Sequence, residues 1–126
     1  MKKIAVLSAV ALAALALAAQ YISVDSLVKE KTKWDKKDVT VRGRVEKFKS
    51  KTSKKGNKYT TFGLKGDKQT VNVFLGDALP APLKDGALVE VKGHYEVKKT
   101  IGTSTYENEI DISKKDGKKY GVTAVK

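Results

Sequence analysis

The chain has no cysteine, only two prolines, one histidine and one methionine. Without cysteine there is no disulfide, no thiolate metal site and no thiol nucleophile. No Ser/His/Asp arrangement, phosphate loop or metal-ligand spacing occurs either, so catalysis has no candidate constellation and no enzyme is expected. At 126 residues the chain suits one compact domain rather than two. No internal repeat is present.

Charge is the strongest compositional bias. Lys and Arg number 26 against 14 Asp and Glu, a formal net charge of +12. Such an excess favours polyanions: nucleic acid, anionic membrane surfaces or acidic polysaccharides. The N-terminus reads as a targeting segment. Lys2 and Lys3 precede an apolar run, Ile4 to Ala19, broken only by Ser8. Ala16-Leu17-Ala18 then offers the small-x-small pattern of a signal-peptidase site, with cleavage after Ala18. The expected organisation is a signal peptide at 1–18, an N-terminal helix and lead-in at 19–37, a β domain at 38–113, and a basic tail or extra strand at 114–126. The mature product is expected in the periplasm or secreted, without a stable membrane span, as a monomer.

Ser23 to Glu30 predicts a short helix, with Ser23 or Asp25 as N-cap and Leu27 and Val28 toward a core. From Asp38 the period changes to two. Val39, Val41 and Val45 alternate with polar residues, and Gly43 falls at an inward position, where a bulge or bend is expected. A second strand is expected at about 58–65, a third at 68–75, a fourth at 87–98 and a fifth at 105–113. Their predicted inward residues include Phe62, Leu64, Val71, Val73, Leu75, Val89, Val91, Tyr95, Val97, Tyr106, Ile110 and Ile112. Gly93 marks a second bend.

Five strands in this order predict a small Greek-key OB-fold barrel. The segments "SLVKEKTKWDKKDVTVRGRVEKF", "YTTFGLKGDKQTVNVFL", "GALVEVKGHYEV" and "YENEIDI" resemble the nucleic-acid-binding OB domains of the tRNA-anticodon/helicase type, over residues 23–113. With its leader, the chain is similar to small OB-fold proteins that bacteria export. The resemblance implies a ligand face on the second and third strands, flanked by loops.

Residues 47–62, "KFKSKTSKKGNKYTTF", hold six lysines and no acid. Alternation places Tyr59, Thr61, Asn72 and Phe74 outward on the ligand face, beside Lys47, Lys49, Lys51, Lys54, Lys55 and Lys58. Arg42 and Arg44 lie on the first strand. Stacking on two aromatics together with lysine–phosphate contacts makes a site for single-stranded DNA or RNA. With only two arginines, base-specific reading is not expected. The alternative is an adaptor for a protein, glycan or small ligand.

His94 falls on the outward face of the fourth strand. The exported haem chaperone of cytochrome c maturation, another OB-fold, links haem through a histidine. The surrounding "KGHYEVKK" does not match its motif, so haem attachment is set aside and no cofactor is expected. Glu107, Glu109 and Asp111 could hold a hard cation, but pairing with Lys or Arg on neighbouring strands is the simpler reading.

Overall fold

A computed structural model describes residues 20–125; the expected leader at 1–18 lies outside them. The architecture is all-β, with seven strands in one mixed sheet and two short helices. In chain order these are β1 (Ile22–Ser23), α1 (Val24–Lys29), α2 (Lys31–Trp34), β2 (Lys37–Thr52), β3 (Lys58–Lys65), β4 (Thr70–Leu75), β5 (Leu88–Ile101), β6 (Ser104–Asp111) and β7 (Gly121–Ala124).

The sheet order is β1-β2-β3-β4-β6-β5-β7, and β2 also pairs with β5. Strands β2, β3, β4, β6 and β5 therefore form a ring, barrel-like but unevenly closed. The β2–β5 ladder runs antiparallel from Lys37↔Tyr95 to Arg44↔Leu88. The parallel β4–β6 ladder holds only three pairs, Asn72↔Glu109 to Phe74↔Asp111. Beyond the five barrel strands, β1 adds a two-residue parallel pairing to β2 that the sequence did not indicate; β7, within the 114–126 segment read as a tail or extra strand, pairs antiparallel with β5.

The core follows the alternation of the sequence. Val39, Val41 and Val45 of β2 are buried with Phe62, Leu64, Val71, Val73, Leu75, Val89, Val91, Tyr95, Ile110 and Ile112. Helix α1 begins at Ser23, whose hydroxyl accepts from the Ser26 amide at 3.1 Å. It sends Val24 and Leu27 into the core, both fully buried, while Val28 packs at its edge. Asp25 is not the cap. Its carboxylate accepts the amides of Lys68 and Gln69 at 3.1 and 2.9 Å, fastening the helix to the β3–β4 turn.

Gly43 is not a bulge; it stays in register opposite Val89. Its role is close approach: a Cβ there would lie 2.8 Å from Leu64 Cγ and 2.9 Å from Val24 Cγ2. The β2 bulge lies further on, between Glu46 and Lys49. Lys47 takes φ 51° there, and the Phe48 amide donates to Asp85 Oδ1 at 3.1 Å. This turns Phe48 onto Phe62, with centroids 6.3 Å apart.

Tyr106 departs from its expected inward place and is 45% exposed. The physical reason is Asn108, at φ 48°. Its side chain accepts from the buried Tyr95 hydroxyl at 2.6 Å. Beyond that left-handed residue the strand no longer follows the barrel's alternation. Strands β5 and β6 then run on as a hairpin to Ile101↔Ser104, longer at its tip than the sequence indicated.

Candidate functional site

The β2–β3 hairpin and the distal β5–β6 hairpin border a groove over β3 and β4, with a volume of about 930 Å³. Tyr59 and Phe74 are both half-buried in it, their ring centroids 6.2 Å apart and tilted by 31°. Thr61, directly opposite Phe74 on the β3–β4 register, completes that wall. Tyr106 and Ile101 line the groove from the other hairpin.

Of the residues expected at the site, Lys51, Lys58, Tyr59, Thr61 and Phe74 line this groove. Lys47, Lys49 and Asn72 line its continuation of about 500 Å³. The Asn72 amide also donates to the Glu107 carbonyl at 3.2 Å, bridging β4 to β6. Lys54 and Lys55 sit on the exposed hairpin turn and do not line the groove. Arg42 and Arg44 are not part of it. Arg42 Nε donates to Glu90 Oε1 at 3.1 Å, with its guanidinium 3.9 Å from the Tyr21 ring centroid. Arg44 donates to the Gly86 carbonyl at 3.0 Å.

Among the lining residues that sequence reasoning did not place at the site are Lys99, Ile101, Tyr106 and Glu109. Gly102, at φ 61°, was the available signal for Ile101. A glycine-led two-residue turn between strand-forming residues marks a hairpin tip rather than a polar loop. Glu109 is 7% exposed. Burial pushes its carboxyl up, opposed by Lys99. Lys99 Nζ lies 3.4 Å from Glu109 and 3.6 Å from Asp111. Burial pulls that ammonium down, but the two carboxylates carry it above the usual lysine range. Glu109 and Asp111 of β6 thus pair with Lys99, and among the described residues no cluster of three or more acids or histidines is placed to hold a metal.

A profile of the CcmE domain matches residues 18–107. The chain belongs to the CcmE domain family. Its members are haem chaperones of cytochrome c maturation, with an OB-like fold. No curated protein matches the chain. The family overturns two expectations. The resemblance to tRNA-anticodon/helicase domains is replaced by membership of a haem-chaperone family. The single-stranded DNA or RNA reading of the groove, and the partner that went with it, fall for the same reason. The alternation and inward glycines read in the sequence suit a small β-barrel of either kind. A pattern that specifies the barrel therefore does not separate their ligands.

His94 is the chain's one imidazole, and its surroundings do not fit haem. Nδ1 lies 3.4 Å from Asp38 Oδ1, and Nε2 lies 3.4 Å from Glu96 Oε1. Asp38 is held in turn by Lys118 at 2.8 Å and by the Tyr120 hydroxyl at 2.5 Å. Those contacts hold its carboxyl well below the usual range, at about 2. Both nitrogens thus face carboxylates, beside a charged cluster rather than an apolar face.

Proposed function

We propose that the chain is an exported, non-enzymatic carrier that holds a flat, amphipathic carboxylate of the tetrapyrrole class in the β3–β4 groove, without a covalent link. The observation that carries this reading is the groove itself. Tyr59 and Phe74 form one wall, Tyr106 lines another side, and Lys51 and Lys58 stand at the rim. Its volume of about 930 Å³ falls in the range of small-molecule sites, roughly 300–1,000 Å³. A ring system with an apolar plane would lie against the aromatics, and its carboxylate arms would meet the lysines. The family's haem cargo has that chemistry. The basic, apolar and small-residue pattern of residues 2–18 supports export, as does the periplasm-facing family. Among the described residues no helix is long and apolar enough to cross a membrane.

With the only imidazole held among carboxylates and no thiol in the chain, recognition rests on the ring and its carboxylates. The experiment is an absorbance titration with haemin and, separately, with iron-free protoporphyrin. Both should bind, and His94→Ala should leave both unchanged. Binding of haemin alone that vanishes in His94→Ala, or binding of neither, would sink the reading.

A further inference from the structure

Lys47, Lys49, Lys51, Lys54, Lys55 and Lys58 are all on the β2–β3 hairpin. Among the described residues none of them has a carboxylate within ion-pair distance, whereas Lys33, Lys99 and Lys118 do. The hairpin's charge is left open to an external partner. Its tip is a defined turn, not a loose loop: the Gly56 amide donates to Ser53 O at 2.9 Å, and the Ser53 amide to Asn57 O at 2.8 Å. Lys54 and Lys55 are carried outward on it, both exposed.

The neighbouring tip has the opposite character. Ile101 is 57% exposed and Tyr106 is 45% exposed. Ile101 ends β5 at the turn, beside Gly102. Ser53, Gly56 and Asn57 of one tip and Ile101 and Tyr106 of the other border the same groove. A cationic tip therefore stands beside a hairpin that exposes one isoleucine at its turn and a tyrosine just behind it.

We infer that these paired hairpin tips dock on an anionic phospholipid bilayer. The lysines lie at the level of the headgroup phosphates, and Ile101 and Tyr106 enter the boundary between headgroups and acyl chains. Lysine is a compact, strongly hydrated charge on a flexible stem, suited to a diffuse headgroup field rather than to one fixed carboxylate. A tyrosine, apolar in body and polar at its tip, suits the same boundary. An acidic protein face would satisfy the lysines but set Ile101 against charge. A bilayer satisfies both at successive depths. In this pose the groove opens at the membrane surface. The inference does not depend on what the groove holds.

The test is vesicle co-sedimentation of the full chain with phosphatidylcholine alone and with phosphatidylcholine containing phosphatidylglycerol. The ratio of the two partition coefficients reads the charge contribution, because the apolar stretch at residues 4–19 contributes to both. The ratio should be well above one and should fall as salt rises. Lys54→Gln with Lys55→Gln should lower it roughly 25-fold, at about fivefold per lysine near an anionic surface. Ile101→Ser should weaken binding to the anionic vesicles by about fivefold. Lys54 and Lys55 lie outside the groove, so their variant should keep its protoporphyrin affinity and its melting temperature. A ratio near one in the unaltered chain, or a ratio unmoved by the lysine pair, overturns the inference. So does capture by polyglutamate in place of the vesicles, which would assign the tips to an acidic protein.

Discussion

Tyr120 donates its phenol hydrogen to Asp38 at 2.5 Å, joining residues 82 positions apart. Lys118 adds a second bond to the same carboxylate at 2.8 Å. The C-terminal segment is thus latched to the start of β2 just before β7 pairs along β5.

The latch sets a pH dependence. Its hydrogen bonds to Lys118 and Tyr120 lower the Asp38 carboxyl from 3.8 to about 2. A lowered folded value means the stabilisation is fully present above the unfolded value. It is lost as pH falls from about 3.8 through about 2. The pair is partly exposed, so screening reduces its worth to about 1 kcal/mol. Thermal melts at neutral pH should show Asp38→Asn less stable by that amount, and the gap should close in strong acid. Tyr120 is raised to about 12, with burial the larger cause and Asp38 next. Its contribution holds below about 10 and fades as pH rises through about 12, so Tyr120→Phe should lose its effect there.

The register of the barrel makes a sharper claim. Val41 and Val91 are fully buried and face one another across β2 and β5. Asp at either position buries an unpaired charge and should cost about 3 kcal/mol or more. Thr40 and Lys92, partners on the opposite face, should accept Asp with losses of about 0.5 kcal/mol. Equal losses at the two sets in denaturant titrations would disprove the register.

Gly93 should tolerate no side chain. A Cβ there would lie 2.6 Å from the Asp111 carbonyl oxygen and 2.7 Å from Ile110 Cγ2. Since backbone must move, Gly93→Ala should destabilise by about 2 kcal/mol or more. Melting temperatures of this variant and of Lys92→Ala, next to it on the exposed face, separate crowding from strand propensity.

Glu109 and Lys99 are coupled at the groove. Lys99→Met should leave the buried carboxylate unpaired and cost about 2 kcal/mol at neutral pH. Burial raises Glu109, and a raised carboxyl loses stability as pH rises through its folded value. The variant should therefore recover toward wild type as pH falls and Glu109 takes up its proton. A deficit independent of pH would show that Lys99 acts through packing alone.

For the ligand, Tyr59→Ala with Phe74→Ala should weaken protoporphyrin binding by tenfold or more, if each ring supplies about 1 kcal/mol. Lys51→Gln should weaken it less. The melting temperature must be preserved in both variants for the affinities to be read.

Alternation alone made much of the barrel legible, because a β residue's face follows from counting by two. The valines of β2, Val71 and Val73 of β4, and Ile110 all fall where that count puts them. Counting fails wherever the backbone breaks step. Lys47 and Asn108 adopt positive φ without being glycine. What holds them there comes from far along the chain: Asp85 beside Lys47, Tyr95 beside Asn108. Tyr106 was misplaced for that reason, and the groove lost one of its walls on paper. Two-residue pairings such as β1 leave no periodic trace at all. The ligand was least legible, because Tyr59 and Phe74 offer flat faces that suit a base or a porphyrin equally.

The seam between β2 and β5 joins the first long strand of the barrel to the fourth. Strand β6, which must bridge β4 to β5, is made later still. A chain emerging N-terminus first can build the β2–β3–β4 meander early, but its sheet keeps two open edges until Asp111 has appeared. Contacts so distant in sequence slow folding. If the chain is exported as proposed, slow closure has a use: the polypeptide stays threadable through a translocation pore while its last strands are still on the near side. The ring can then shut only on the far side of the membrane, where the unpaired edges find each other before they find a neighbour's.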